Sequence, residues 1–462
     1  MMTLREAALY LTHATIAGDA NAAFTHVHTD SRTIQPGDLF VALKGERFDA
    51  HDFLPQVAQA GAAAAVVAPG TVLPEGLDAI VVPDPKRALG QLAAAWRKRF
   101  TLPLVMVTGS NGKTTTKEMI AAVFRAAFGE AAVLATQGNL NNDIGLPLTL
   151  FKLNAQHHLA VIEAGMNHPG ETAELAAIAQ PTVALVLNAQ REHQEFMVSI
   201  EAVAREHALA IDALPADGIA VFPADDAFAH VWRHAAGARR TIEFKSNGID
   251  AISMRVFEQN ALETRMDIAQ NASSYAVTLQ IGGAHNIHNA AAAIAVAHAI
   301  GIDGAAIARG FNAFMPAKGR MRRLAHDRFT LIDDSYNANP DSVRAAIDAL
   351  AGFAGRKVLI LGDMGEVGTQ GAAFHHEVGV YAAQRGIDAL ITMGVATQAS
   401  VQAFATDAPH AQAAHVSTPQ EAKDAITALN LSDHDTVLVK GSRFMAMERV
   451  IEKLQEKEST TC

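Results

Sequence analysis

Residues 104–116 constrain this chain more than any other stretch. The apolar run Leu104-Val-Met-Val-Thr108 breaks into Gly109-Ser110-Asn111-Gly112 and resumes as Lys113-Thr114-Thr115-Thr116 at the head of a helical pattern. A strand that turns through glycines into a helix lets backbone N–H groups close round a phosphate, with the positive end of the helix behind them. Lys113 then counters the β and γ charges of a nucleoside triphosphate, and the Thr114 hydroxyl is placed to ligate Mg²⁺. Gly109, Ser110, Asn111, Gly112, Lys113, Thr114 and Thr115 are the expected phosphate-binding residues. The spacing is shorter than the usual phosphate loop, because six residues before Lys113 the chain has Val107 rather than a glycine.

Such a loop calls for a mostly parallel sheet, and the flanking sequence supplies one. Strand-then-helix pairs are expected at 104–108 and 113–128, 159–162 and 171–179, 182–187 and 200–214, and 218–222 and 227–236. A strand-rich stretch follows from Thr241 to Gly282, then an alanine-rich helix from Asn289 to Ile300. Ahead of this, residues up to about Pro85 alternate short strands (38–43, 62–67, 78–82) with a helix over 51–60 that Gly61 ends. Beyond a turn at Pro316 to Gly319 a third pattern places strands at 330–333, 357–361, 389–393 and 436–439. The fold class is α/β in three domains, 1–85, 86–315 and 316–462.

Half of the 462 residues are hydrophobic and 18% are charged, the balance of a folded chain. A net charge of −11 argues against nucleic acid as a partner, since phosphate backbones need a basic surface. The lone cysteine, Cys462, leaves no disulfide framework, thiol nucleophile or cysteine metal site. Met1 to Ala14 lacks a secretory pattern, and no apolar run approaches the roughly 18 residues of a membrane span. A cytoplasmic protein is expected, and a monomer.

Other residues have the right chemistry in the right places. Glu163 closes the run Leu159-Ala-Val-Ile162 and would hold a metal at the carboxyl edge of the sheet, or simply act as a helix N-cap or a solvated loop charge. His193, in Asn188-Ala-Gln-Arg-Glu-His193, follows the next strand and reads equally as catalytic or structural. Asn286 and Asn289 precede the alanine-rich helix and fit either helix caps or groups that read a base. Lys318-Gly-Arg320-Met-Arg-Arg323 is basic in an acidic chain and fits a phosphate clamp or a solvated turn. Asp333-Asp334-Ser-Tyr336-Asn337-Ala-Asn339-Pro340 is denser in polar groups than a connection needs. Gly362-Asp-Met-Gly365-Glu-Val-Gly368 is read as a flexible loop, because its spacing is not that of a dinucleotide fingerprint. The adjacent pairs His157-His158 and His375-His376 cannot share one helix face and are assigned no metal.

Taken in order, 108–116, Asn139-Leu-Asn141-Asn142-Asp-Ile-Gly145-Leu-Pro147, Glu163 to Asn167, His193, His285 to Asn289, Lys318 to Arg323 and Asp334 to Pro340 resemble the motifs of the Mur ligase family. The resemblance spans nearly the whole chain. It implies a UDP-sugar-binding N-terminal domain, a central ATP-binding domain and a C-terminal Rossmann-like domain that closes over ATP. It also implies carboxylate activation by ATP through an acyl phosphate, followed by amide formation, with two Mg²⁺ ions. Thr29-Asp30-Ser31-Arg32, the run from Phe40 to His51, the run from Asn139 to Pro147 and Tyr336 to Pro340 resemble the branch that joins D-alanyl-D-alanine to UDP-N-acetylmuramoyl-tripeptide. By that resemblance Lys113, Glu163, His193 and Arg320 are catalytic, and Thr114, Glu163 and His193 serve the metal. Asn286, Asn289, Arg320, Asp334, Tyr336 and Asn337 attend the nucleotide. Ser31, Arg32, Lys44, Gly45, His51, Asn141, Asn142 and Asn339 attend the other substrates.

Many members of the family carry a carbamylated lysine after the histidine. Here no lysine lies between Lys152 and Lys245, and His207 stands where it is expected. The expectation is a second metal site without carbamylation, completed by water, His207 or Glu206. The alternatives are a sister ligase that adds a single amino acid and a phosphate-loop nucleotide switch.

Overall fold

The strand Leu104–Thr108 lies inside a six-stranded sheet whose pairings are all parallel, in a computed structural model that describes residues 1–46, 48–193, 195–260 and 262–456. Arg47, inside the run from Phe40 to His51, and Cys462 lie outside the described residues. The sheet runs Arg240–Phe244, Ile219–Pro223, Val183–Val186, Leu104–Thr108, Leu159–Glu163, Val133–Ala135. Every residue of its three middle strands is buried, because helices cover both faces, and this is why those strands read as unbroken apolar runs.

Strand order sets the site. The chain leaves Leu104–Thr108 for the far edge at Val133–Ala135, returns to Leu159–Glu163 on one side, then passes to Val183–Val186 on the other. Leu104–Thr108 is thus the strand at which the order reverses, and the crevice beyond its carboxyl end is where an open α/β sheet binds ligands. Glu163 pairs with Val107 and Val186 with Thr108, so three strand ends open on one rim.

The helix Lys113–Phe128 packs against the helix Ala284–Ala299, in which Ala290 through Ala297 are all fully buried. A helix apolar on every side belongs in a core. It begins five residues before the expected start, since the packed alanines carry helical structure back through Ala284-His-Asn-Ile-His, a stretch with weak propensity of its own. The cap is Gly283, without a side-chain cap bond, so Asn286 and Asn289 are not the caps that their residue type suggested. The strand-rich segment folds partly as a separate four-stranded antiparallel sheet, Gly248–Ile249, Ile252–Gln259, Thr264–Gln270 and Ser273–Leu279.

The N-terminal unit is a five-stranded sheet ordered Thr15–Ala17, Asp78–Val81, Ala64–Val67, Leu39–Val41, Val27–His28, with Thr15–Ala17 antiparallel to its neighbour. The helix Pro85–Arg97 leads out of it and docks on the next unit: Trp96 Nε1 donates to Leu153 O at 3.1 Å, and Arg97 Nε to Ala179 O at 3.2 Å. The C-terminal unit is a six-stranded sheet ordered Arg322–Leu324, Thr330–Asp334, Thr436–Lys440, Lys357–Gly362, Ala389–Met393, Gln412–Val416, in which only the first pairing is antiparallel. No helix among the described residues is long and apolar enough to cross a membrane.

Candidate active site

The loop after Leu104–Thr108 has the geometry its glycines demand. Gly109 and Gly112 take φ of +134° and +87°, the left-handed side that favours glycine. A Cβ at Gly112 would fall 2.4 Å from Asn289 Oδ1, and one at Gly109 2.8 Å from Leu187 Cβ, so space forbids a side chain as well. Gly112 caps the helix Lys113–Phe128 without a side-chain bond, so its first N–H groups are left for an anion. The neighbouring loop holds this one in shape: Asn111 N donates to Asn188 Oδ1 at 3.0 Å, Asn188 Nδ2 returns to Asn111 O at 3.0 Å, and Gln190 N donates to Ser110 Oγ at 2.8 Å.

Lys113 folds back on this loop, Nζ donating to Gly109 O at 2.5 Å and lying 3.6 Å from Glu192 Oε2. Glu192 is buried; burial pushes its carboxyl up, but Lys113 and the imidazoles of His207 and His193 outweigh that and hold it well below the usual carboxylate range. His207 Nε2 sits 2.9 Å from Glu192 Oε1, and its Nδ1 2.9 Å from Thr108 Oγ1. Both ring nitrogens are engaged. Glu206 is engaged too, accepting Gly170 N and Thr172 N at 2.8 Å each and so capping the helix Glu171–Ala179. The expectation that His207 or Glu206 completes a metal site therefore fails: one is a buttress for Glu192, the other a helix cap.

Glu163 is 2% exposed at the end of its strand, Oε1 accepting from Asn141 Nδ2 at 2.7 Å and Oε2 buried without a hydrogen-bond partner. An orphaned buried carboxylate oxygen facing a phosphate loop fits Mg²⁺, which is commonly held by one or two carboxylates together with phosphate and water. Thr114 lines the same cavity of about 750 Å³. His193, at φ +47°, lines it too, with Nδ1 2.6 Å from Glu366 Oε2 of the C-terminal unit, and this close contact holds Glu366 below its ordinary range. Among the described residues no three His, Cys, Asp or Glu side chains form a ready cage.

The C-terminal unit closes the other wall. Arg320 lines this cavity and also a second, of about 350 Å³, and its guanidinium lies 4.2 Å from the Tyr336 ring centroid. Tyr336 is half-buried, and burial pushes its phenol up. Asp334 accepts from Lys440 Nζ at 2.7 Å and from Met321 N at 3.1 Å, an arrangement that fixes the turn carrying Arg320. Asn337 is exposed in the first cavity. Asn339 caps the helix Pro340–Ala351 and donates to Asn111 Oδ1 at 3.0 Å, which ties the two units together. The loop 362–368, expected to be flexible, is pinned: Asp363 accepts from Thr397 N at 2.8 Å and Gly365 N donates to Ser442 Oγ at 2.7 Å.

Asn286 and Asn289 are buried side by side, joined at 3.1 Å, and line the smaller cavity with Thr115. Asn141 reaches Glu163, while Asn142 Oδ1 accepts Gly145 N at 2.9 Å. Ser31, Arg32, Lys44, Gly45 and His51 line neither cavity. Arg32 pairs with Asp30, Lys44 lies 3.4 Å from Asp49, and both His51 nitrogens are used, one with Asp49 and one accepting Ala68 N at 3.0 Å. Glu192, Lys440 and Arg191 are site residues that sequence reasoning missed. Only Glu192 left a trace, as the neighbour of His193.

Three family models match in series: "Mur ligase family, catalytic domain" over residues 23–97, "Mur ligase middle domain" over 107–297 and "Mur ligase, glutamate ligase domain" over 319–443. The UDP-N-acetylmuramoyl-tripeptide–D-alanyl-D-alanine ligase of Escherichia coli is 38% identical over 95% of each chain. A crystal structure of MurF from Acinetobacter baumannii superposes with a TM-score of 0.88 at 32% identity, covering 98% of this chain and 99% of that one. MurF from Thermotoga maritima, in complex with ADP, gives a TM-score of 0.77 at 26% identity, covering 93% and 96%.

Proposed function

This chain belongs to the Mur ligase family, and from that premise we propose that it joins D-alanyl-D-alanine to UDP-N-acetylmuramoyl-tripeptide, with ATP converted to ADP and phosphate. The observation that carries the reading is one cleft lined by Lys113, Glu163 and Arg320, in a chain whose full-length relatives bear the name of that activity. The enzyme is an ATP-dependent ligase of peptidoglycan precursor synthesis, and a cytoplasmic location belongs to the proposal. Because one chain supplies all the named groups, the reading needs no second copy.

The peptide carboxylate attacks the γ-phosphate of ATP, ADP leaves, and the amine of the dipeptide displaces phosphate from the acyl phosphate to form the amide. Transfer of this kind depends mostly on positioning and charge. Lys113 exchanges the carbonyls of Gly109 and Ser110 for phosphate oxygens, and the uncapped N–H groups at the helix start add to it. Arg320, steadied on Tyr336, meets the transferring group from the opposite wall. Thr114 and Glu163 would hold Mg²⁺, with His193 beside them, and two ions are proposed. When bound, Mg²⁺ supplies charge neutralisation on the phosphate oxygens. Asn286 and Asn289 attend the adenine, and Asp334, Tyr336 and Asn337 steady the nucleotide from across the cleft. Asn141, Asn142 and Asn339 order the peptide end, and the segment with Ser31, Arg32, Lys44, Gly45 and His51 receives the uridine diphosphate. Closure of the C-terminal unit keeps water from the acyl phosphate.

Phosphate release from Mg·ATP, measured with UDP-N-acetylmuramoyl-tripeptide and either D-alanyl-D-alanine or single amino acids, tests this. Release that needs both the tripeptide nucleotide and the dipeptide, with a pentapeptide product, is expected. Preference for a single amino acid moves the chain to a sister ligase, and release indifferent to any amine replaces the ligase with a nucleotide switch.

A further inference from the structure

Glu192 is a buried carboxylate in the wall of the larger cavity that the proposed reaction leaves unused. Its orientation is set from behind. A single neutral tautomer of His207 satisfies both of its bonds: the Thr108 hydroxyl donates to Nδ1, and Nε2–H donates to Glu192 Oε1. The other oxygen, Oε2, is thereby turned to Lys113 Nζ at 3.6 Å and His193 Nε2 at 3.8 Å. Glu163, with its buried unpartnered Oε2, lines the same cavity.

Charge balance governs this pocket. Among the described residues, the Lys113 ammonium, 3.6 Å from Oε2, is the lysine or arginine charge paired with Glu192. Once Lys113 Nζ turns to the phosphates, the buried carboxylate loses that charge beside it, which is unfavourable. A divalent cation arriving with the phosphates restores the balance at the place Lys113 vacates.

We infer that Glu192, oriented by His207, is a ligand to a divalent cation on the His193 side of the phosphates, and that Lys113 and this cation take turns as its counter-charge. The inference rests on the ATP-dependent reaction proposed for this cleft. It explains in physical terms why His207 is spent on a hydrogen bond to Glu192 rather than on a metal.

The test counts cations rather than turnover. Mn²⁺ is titrated, with free ion read by electron paramagnetic resonance, into the full-length protein with the non-cleavable ATP analogue AMP-PNP. With AMP-PNP saturating in each protein, Glu192→Gln is expected to bind one class of Mn²⁺ at least roughly tenfold more weakly than the unaltered protein. Glu192→Asp keeps the charge that pairs with Lys113 but draws the carboxylate back, and an intermediate affinity is expected. Equal Mn²⁺ stoichiometry and affinity in all three proteins overturns the inference while leaving the ligase reading intact. Failure of the unaltered protein to bind AMP-PNP overturns both.

Discussion

Arg191 and Asp341 meet across the cleft in a three-point contact: Nη2 and Nε lie 2.6 and 3.0 Å from Oδ1, and the Arg191 backbone N–H donates to Oδ2 at 2.9 Å. The same guanidinium donates to Glu377 at 2.7 Å and stands over the Phe374 ring. One side chain from the loop beyond Val183–Val186 thus grips two helices of the C-terminal unit.

A bidentate, partly buried pair of this kind contributes about 1–2 kcal/mol. Asp341→Ala is therefore expected to loosen closure and to lower kcat/KM for ATP by a factor of about 5–30. Small-angle scattering and steady-state kinetics on the same preparation check it, and a variant as compact and as active as the parent would remove the latch from the account.

Acid should open the same interface. Glu366 lies below its ordinary value of 4.5 because of its close contact with His193, and Glu377 because of its bonds to Arg191. Carboxyls depressed by native partners add stability that is fully present above pH 4.5 and is lost as pH falls through their lower folded values. Energy transfer between labels on the central and C-terminal units should decline below that pH, and Glu366→Gln with Glu377→Gln should flatten the decline.

Gly112 and Gly170 share a left-handed backbone, φ +87° with ψ −6° and φ +93° with ψ −15°, but only Gly112 has a neighbour in the path of a Cβ. Gly170→Ala should cost about 1 kcal/mol of backbone strain. Gly112→Ala should cost more, up to about 3 kcal/mol, and also weaken nucleotide binding. Thermal melts and nucleotide titration of the pair separate strain from collision; equal losses would mean that Asn289 yields freely.

Glu206→Gln removes the charge from a carboxylate that caps two backbone N–H groups. A loss of roughly 1–3 kcal/mol in stability is expected, with Mn²⁺ affinity unchanged. Weaker Mn²⁺ binding at unaltered stability would return Glu206 to the metal.

Several elements were legible to the residue. The strands Leu104–Thr108 and Ala389–Met393 and the helices Lys113–Phe128 and Glu171–Ala179 form where the pattern placed them. Each is a continuous apolar run or a regular helical pattern stopped by glycine or by a change of pattern, so local signals and burial agree. The edge strands Val133–Ala135, Arg322–Leu324 and Gln412–Val416 were missed. Gln412–Val416 is mostly exposed, and its short Gln-Ala-Ala-His-Val run buries only Val416; its place is fixed by pairing with Ala389–Met393.

The candidate site divides the same way. The phosphate loop, Glu163 and His193 could be found because strands of a parallel sheet end on one edge, so each position after a strand is a position at the rim. Arg191, Glu192 and Lys440 could not, since their partners Asp341, His207 and Asp334 lie 150, 15 and 106 residues away.

By itself the sequence determined the α/β alternation, the phosphate loop and the family, because glycine conformation, apolar periodicity and local motif spacing act over a few residues. Only the tertiary structure decided that His207 supports Glu192, that Glu206 caps a helix and that Arg191 latches the cleft. A charged side chain takes its role from the partner that offsets its burial, and that partner is chosen by the packing of distant segments.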